Sequence, residues 1–196
     1  MERTENLILF DMDGTLCDYD SALKKNLEEL KSPDEKPLPE NLREVPEHIR
    51  KRMDIIRNSE EWWETLPRFK LGWDILTIAQ KLGYKIVILT QGPRKNPAAW
   101  SGKVKWIRKN LGDVDITITR DKSLVYGKIL VDDFPDYVDS WLSHRSRGLV
   151  IMPAHPHNKD YSHPQVIRYD GTDIERIKKA LEKVRDRKAK EPLILD

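Results

Sequence analysis

The chain has a single cysteine and no long apolar run. With only Cys17, a disulfide framework is excluded, and no cluster of cysteine and histidine around it indicates a zinc site. A membrane-spanning helix needs about 20 mostly apolar residues, and no run approaches that length. The polar segment Met1–Asn6 leads directly into an apolar run, so we expect no signal peptide. These absences together predict a cytoplasmic protein.

An excess of charge of either sign is also lacking. The 35 lysines and arginines and the 33 aspartates and glutamates leave a net charge of +2, and the two signs are interspersed. This balance gives no electrostatic basis for binding long nucleic acid or a membrane surface. The 196 residues, 38% of them hydrophobic, are enough for one well-buried α/β core with a small insertion.

The most informative stretch lies near the start of the chain. Four apolar residues, Leu7–Phe10, indicate a strand buried on both faces, and Asp11 and Asp13 follow it on the same side of the extended chain. Gly14 then permits an unusual turn and a close approach of the backbone to a ligand. Two carboxylates beside an open backbone suit Mg²⁺ and a phosphate. The alternative is an ordinary polar turn, in which Asp and Gly are common.

Short apolar runs alternate with helical stripes along the rest of the chain. The pattern predicts further strands over 85–90, 115–119, 129–131 and 149–152, and helices over 71–82, 100–111 and 173–190. Strands that alternate with helices predict an α/β fold with a doubly wound parallel sheet.

The segment between the first two strands is predicted to be helical. Helical spacing over 18–31, a proline-rich loop over 32–39 and two further helix starts near Pro46 and Ser59 indicate a small helical cap inserted after the first strand. We therefore expect a catalytic core formed by residues 1–16 and 68–196, and a cap formed by residues 17–67.

Three of the predicted strands end in polar residues. Asp11 and Asp13 follow the first strand, Thr90 ends the second, and Asp132 and Asp133 follow the strand over 129–131. Ligands bind parallel sheets outside the carboxyl ends of their strands. The sequence therefore predicts that these side chains meet in one crevice.

The motif Asp11-Met12-Asp13-Gly14-Thr15 resembles the first motif of the haloacid dehalogenase (HAD) superfamily of aspartyl-phosphate phosphohydrolases. The resemblance implies that Asp11 is the nucleophile and that Asp13 protonates the leaving oxygen and then activates water. Dehalogenases of the superfamily lack the second Asp, so Asp13 implies phosphate chemistry.

The same resemblance implies donors for the phosphate group. Thr90 would offer its hydroxyl, and Gln91 and Gly92 their backbone N–H groups. A lysine is expected upstream of the last aspartate pair, where Lys122 and Lys128 compete. We favour Lys122, because Lys128 lies at the start of its strand and thus at the far end from the crevice.

The implied cofactor is Mg²⁺, held by aspartate oxygens. The expected ligands are Asp11, the main-chain oxygen of Asp13 and a carboxylate from the pair Asp132 and Asp133. We expect Asp133 to bind the metal and Asp132 to support it, and the alternative reverses these two roles.

Three segments more closely resemble the 5'(3')-deoxyribonucleotidase family: Glu61–Pro67, Thr119–Lys122 and Val131–Asp133. The resemblance implies that Trp62 and Trp63 line a nucleotide pocket, where a Trp face would stack on a base. The alternative for both is packing between cap and core. The loop 91–97 departs from the family's pattern, and its Arg94 would either hold a second anionic group of the substrate or be solvated.

These residues predict a Mg²⁺-dependent phosphatase, a 5'-nucleotidase of (deoxy)nucleoside monophosphates that forms an aspartyl-phosphate. The alternatives are a phosphatase of another small phosphorylated metabolite or of a nucleic-acid phosphate end, and a binding or regulatory protein on the same scaffold. His155 and His157 would suggest a metal site, but we expect a structured loop there and assign these residues no role. The oligomeric state is not predicted.

Overall fold

A computed structural model describes residues 6–39, 42, 45–188 and 194–195. It divides into two compact units. Unit 1 consists of 1–17, 68–91 and 114–196, and unit 2 of 18–67 and 92–113. The polar start over residues 1–5 and the last positions of the predicted helix 173–190 lie outside the described residues.

Unit 1 contains a parallel sheet of six strands: β1 (Leu7–Phe10), β2 (Lys85–Thr90), β3 (Asp115–Ile118), β4 (Ile129–Val131), β5 (Leu149–Pro153) and β6 (Val166–Tyr169). Their order across the sheet is β3-β2-β1-β4-β5-β6. This is the order of a doubly wound fold, in which the direction of winding reverses beside β1. The predicted fold class is confirmed. Strand β6 was not among the predicted strands, because it has only four residues and Arg168 interrupts its apolar run.

The described helices of unit 1 are α4 (Lys70–Lys81), α6 (Pro135–Leu142) and α7 (Ile174–Asp186). Helix α6 is too short for a helical stripe to be evident in the sequence, although Pro135 suits its first turn. One face of the sheet packs with α6 in a buried cluster that includes Leu9, Leu130, Val138 and Trp141. Alternation along β1 turns Ile8 and Phe10 toward the other face, and both are fully buried.

Unit 2 contains α1 (Tyr19–Glu29), α2 (Glu47–Arg57), α3 (Glu60–Glu64) and α5 (Pro97–Leu111). Helices α1 and α2 bury a shared apolar cluster: Leu23, Leu27, Val45, Ile49, Met53 and Ile56. Helix α5 packs on α3 so closely that a side chain on Gly102 would overlap Trp63, with 2.5 Å between the two Cβ positions. For this reason 92–113 groups with the residues predicted as the cap, whereas the domain prediction places 92–113 in the core.

None of the described helices is long and apolar enough to cross a membrane.

Candidate active site

The carboxyl ends of β1 and β4, which are neighbours at the reversal of the sheet, bring two aspartates to one lysine. The Nζ atom of Lys122 lies 2.7 Å from Oδ1 of Asp11 and 2.6 Å from Oδ2 of Asp132. Lys122 begins a short 3₁₀ turn, and all three side chains are buried. The competing Lys128 lies at the amino end of β4, where its Nζ is 3.5 Å from Oδ1 of Asn6. Lys122 is thus the lysine that contacts the carboxylates.

Hydrogen bonds hold both the backbone and the side chain of Asp132. Its N–H donates to the carbonyl of Ile151 on β5, and its Oδ1 accepts from the N–H of Phe134 at the start of α6. With Oδ2 bonded to Lys122, both carboxylate oxygens of Asp132 have protein partners. Its orientation is therefore set by three separate elements.

Asp133 is held by the turn after β1. The hydroxyl of Thr15 donates to its Oδ1 at 3.1 Å. Gly14 has a φ of +75°, and a Cβ there would lie 2.7 Å from Oδ2 of Asp133. A glycine is required on both counts, since other residues rarely adopt this conformation and the carboxylate occupies the place of a side chain.

A loop after β5 completes the support of this turn. Nε2 of His155 donates to the carbonyl of Gly14 at 2.6 Å, and Nε2 of His157 lies 3.0 Å from Oδ2 and 3.1 Å from the carbonyl of Asp133. Nδ2 of Asn158 donates to the carbonyl of Asp133 at 2.9 Å. Sequence reasoning assigned these residues no role, because their partners lie more than 20 positions away and no local spacing indicates the pairing.

Burial and neighbouring charges shift the pKa values of Asp132 and Asp133 in opposite directions. Burial raises the pKa of Asp132 to about 7, and the charges of Asp11 and Asp133 add to this effect. For Asp133, burial acts in the same direction, but the hydrogen bond from His157 and nearby positive charge lower the pKa below its usual value. Burial alone would lower the pKa of Lys122, yet Asp11 and Asp132 outweigh it and raise it. Lys122 is therefore shared by Asp11 and Asp132, while His157 contacts Asp133.

The donor set fits a hard divalent cation. Ligand atoms of Asp11, Asp132 and Asp133 all lie within 4.8 Å of one another. Carboxylate oxygens are the ligands that Mg²⁺ prefers, and a divalent ion would offset the negative charge that Lys122 leaves uncompensated. The half-buried Asp13 does not offer a carboxylate oxygen to this group.

Thr90 and Gln91 lie at the same edge of the sheet. β2 is the neighbour of β1 with Ile88 opposite Phe10, so Thr90 extends past Phe10 on the adjacent strand. Thr90 is fully buried, and its carbonyl accepts from the N–H of Thr119. Nε2 of Gln91 lies 3.5 Å from the carbonyl of Arg120.

The other predicted substrate-binding residues belong to unit 2. Trp63 is buried, with Nε1 donating to the carbonyl of Arg57 at 2.8 Å and Nζ of Lys103 lying 5.0 Å from its ring centre. Trp62 is half-buried, and its Nε1 donates to Oδ1 of Asn26.

Tyr19 contacts both tryptophan rings, stacking on Trp63 and meeting Trp62 edge to face. In the loop before α5, Gly92 lies against the ring of Trp100, where a Cβ would overlap the indole, and Arg94 is exposed. A glycine at position 92 is therefore needed for packing within unit 2, and its N–H is also a candidate hydrogen-bond donor to the phosphate.

The fold matches two solved structures at low sequence identity. A protein of Burkholderia xenovorans LB400 assigned as a haloacid dehalogenase-like hydrolase matches with a TM-score of 0.53 and 16% identity, over 90% of this chain and 94% of that one. A Thermotoga maritima protein assigned as a β-phosphoglucomutase matches with a TM-score of 0.50 and 17% identity, over 91% and 99% of the two chains. These likenesses, with the aspartates at the carboxyl ends of β1 and β4, define a HAD-type fold.

The family is identified by the sequence itself. Residues 5–171 match the family model described as 5' nucleotidase, deoxy (pyrimidine), cytosolic type C protein, and the chain belongs to this family. It is therefore a HAD phosphatase, a phosphoric monoester hydrolase. No curated protein matches the chain.

Proposed function

We propose that the protein is a Mg²⁺-dependent 5'-nucleotidase that hydrolyses (deoxy)nucleoside monophosphates through an aspartyl-phosphate on Asp11. The observation that carries the proposal is the buried group of Asp11, Asp132 and Asp133 around Lys122. The match of residues 5–171 to a deoxynucleotidase family supports the choice of a nucleotide over other phosphate esters. The same match supports a cytoplasmic location.

In the first step, a carboxylate oxygen of Asp11 attacks the phosphorus atom. The new O–P bond forms as the bond from phosphorus to the ester oxygen breaks, and Asp13 gives its proton to the leaving oxygen. In the second step, Asp13 takes a proton from water, whose oxygen attacks the phosphorus. The acyl-phosphate bond breaks, which releases inorganic phosphate and restores both aspartates.

The other residues orient the reacting groups and neutralise their negative charge. Lys122 holds Asp11 by the 2.7 Å contact and supplies positive charge to the phosphate. The hydroxyl of Thr90 and the N–H groups of Gln91 and Gly92 donate to phosphate oxygens. Mg²⁺ would be held by Asp11, Asp133 and the main-chain oxygen of Asp13, with Asp132 in support. When bound, the ion neutralises charge between the attacking carboxylate and the phosphate.

In unit 2, Trp62 is the better candidate for stacking on a base. Trp63 is enclosed by Tyr19, Gly102 and Lys103 and serves packing, whereas Trp62 keeps part of its surface exposed. A Trp–base contact contributes about 1–3 kcal/mol. The exposed Arg94 is proposed to meet a second anionic or polar group of the substrate.

The test is phosphate release from a panel of 5'- and 3'-deoxynucleotides, ribonucleotides and sugar phosphates, with Mg²⁺ or with EDTA. We expect Mg²⁺-dependent turnover of nucleotides and a loss of at least about 1,000-fold in Asp11→Asn. Asp160→Asn is the matched control, since its side chain is 88% exposed, and it should keep full activity.

Acid quenching followed by mass spectrometry should detect one phosphoryl group on Asp11 during turnover. Turnover of sugar phosphates alone would retain the mechanism and reject the nucleotide as substrate. Activity in Asp11→Asn equal to that of Asp160→Asn would reject the mechanism.

A further inference from the structure

A cavity of about 810 Å³ opens at the edge of the sheet opposite to the aspartates. Part of its wall is formed where β4 and β5 begin, because Lys128 and Gly148 directly precede these strands and line the cavity. The strands are parallel, so their amino ends lie at the other edge of the sheet from Asp11 and Asp132. This wall of the cavity therefore lies away from Asp11 and Asp132, while Ser123, which follows Lys122 in the chain, lines another part of it.

The lining of this cavity, here called the basic cavity, is dominated by positive charge. Six lysine and arginine side chains line it: Lys128, Arg145, Arg147, Arg185, Arg187 and Lys188. No aspartate or glutamate is among its lining residues in the part of the chain that the structure describes. Asp186 makes a two-point contact with Arg185, at 2.7 and 2.9 Å. A concave surface with one sign of charge concentrates the field that it presents to an anion.

Among the lining residues, Arg145 makes fewer hydrogen bonds than its guanidinium group can donate. Its Nη1 and Nη2 donate to the carbonyls of Trp141 and Val125, but its buried Nε–H has no hydrogen-bond acceptor among the described residues. A buried donor without an acceptor destabilises the folded state, because the group has given up its hydrogen bond to water. Burial also lowers the pKa of Arg145, which reflects the cost of keeping this charge out of water. An anionic acceptor would relieve both costs.

Two of the cations also have a structural role. Nη2 of Arg147 donates to the carbonyl of Lys188, and Nη2 of Arg187 donates to the carbonyl of Arg147, which ties the end of α7 to the loop before β5. Positive charge is also favourable at a helix C-terminus. This role applies to the cations near the end of α7. Lys128 and Arg145 come from other parts of the fold and line the same cavity.

We propose that the basic cavity binds a small molecule that carries a chain of phosphate groups. Cations contributed by three separate segments suit several linked phosphates better than one, and guanidinium groups match phosphate oxygens in geometry. The volume is that of a typical small-molecule site. Tyr126 lines the cavity and is 56% exposed, so its ring is available to a base if the phosphates belong to a nucleotide.

The test is calorimetric titration with inorganic tripolyphosphate and with ATP, in EDTA so that Mg²⁺-dependent chemistry is absent. Lys128→Gln combined with Arg147→Gln should weaken tripolyphosphate binding at least tenfold. Arg176→Gln is the matched control, because it removes an exposed positive charge from α7 outside the lining, and its affinity should equal that of the unaltered protein. Circular dichroism and thermal melting establish that each variant is folded, independently of any catalytic activity.

The two probes distinguish the source of the phosphates. ATP that binds more tightly than tripolyphosphate, with the gain lost in Tyr126→Ala, assigns a nucleoside triphosphate. Equal affinities assign an inorganic polyphosphate. Binding that is equally weakened by Arg176→Gln, or unaffected by the double variant, would overturn the proposal, as would failure of both probes to bind the folded protein.

Discussion

The contact of Lys122 with Asp11 and Asp132 gives the sharpest quantitative prediction. Replacement of Lys122 by methionine keeps the length of the side chain and removes its charge, so that two buried carboxylates lose their cation. Removing one partner of a buried pair typically costs about 3–5 kcal/mol in the free energy of unfolding. For a chain of this length that corresponds to a fall in melting temperature of roughly 6–20 °C.

Lys70→Met is the matched control, because its N–O distance is similar but the lysine is exposed and contacts a single carboxylate. Nζ of Lys70 lies 2.6 Å from Oδ2 of Asp74, but the lysine side chain is 81% exposed. An exposed pair of this kind contributes about 0–1 kcal/mol. Urea unfolding of both variants in EDTA, followed by circular dichroism and tryptophan fluorescence, measures the two losses directly.

Magnesium should reduce the difference in the free energy of unfolding between Lys122→Met and the unaltered protein. A divalent ion among Asp11, Asp132 and Asp133 replaces part of the lost positive charge, so Lys122→Met should gain more stability from Mg²⁺ than the unaltered protein gains. Phosphate release should not return, because the lysine is proposed to hold Asp11 and to contact the phosphate. If Lys122→Met is no less stable in EDTA than Lys70→Met, our account of the buried charges is wrong.

Further predictions concern the support of Asp133 and two packed positions elsewhere in unit 1. Asn158→Ala should lower kcat of phosphate release and cost about 1–3 kcal/mol of stability, since it removes the donor that fixes the carbonyl of Asp133, and an unchanged kcat would contradict a positioning role. Gly72→Ala should cost about 1–3 kcal/mol or more in thermal unfolding, because a Cβ would lie 1.8 Å from the carbonyl of Thr15. Tyr84→Phe should cost about 1 kcal/mol at pH 7, where the tyrosine hydroxyl donates to a carbonyl of α7. Burial raises the pKa of Tyr84, so the folded state keeps its proton while the unfolded state loses it near pH 10, and the stability difference between the two proteins should shrink above that pH.

The residues that sequence reasoning brought to this edge of the sheet share one property. Asp11, Thr90 and Asp132 each end or follow an apolar run, and the parallel arrangement of such runs places their ends together whatever separates them in the chain. The choice of Lys122 over Lys128 rests on the same logic, because position along a strand decides which edge a side chain reaches. Patterns of this kind can be predicted from the sequence because they depend on strand direction alone.

The contacts of His155, His157 and Asn158 depend on loop conformation and were not predictable. Their hydrogen bonds join main-chain groups of Gly14 and Asp133, so the identity of the partner residue leaves no trace in the sequence. The grouping of 92–113 with unit 2 was hidden for a similar reason. It rests on the close packing of Gly102 against Trp63, and a glycine within a helix predicts no particular neighbour.

The interleaving of the two units has a consequence for how the protein is made. The chain passes between units near residues 17, 67, 91 and 113, so unit 2 is assembled from two stretches with β2 between them. During synthesis, α3 is made before α5. Trp63 therefore stays without its packing partner Gly102 until α5 has been synthesised. Nor can unit 2 be excised as one continuous fragment, since residues 18–67 alone lack helix α5, which only the second stretch supplies. The sequences of the two stretches must therefore fit each other. An exchange of residues 18–67 between relatives would succeed only with a matching exchange of 92–113.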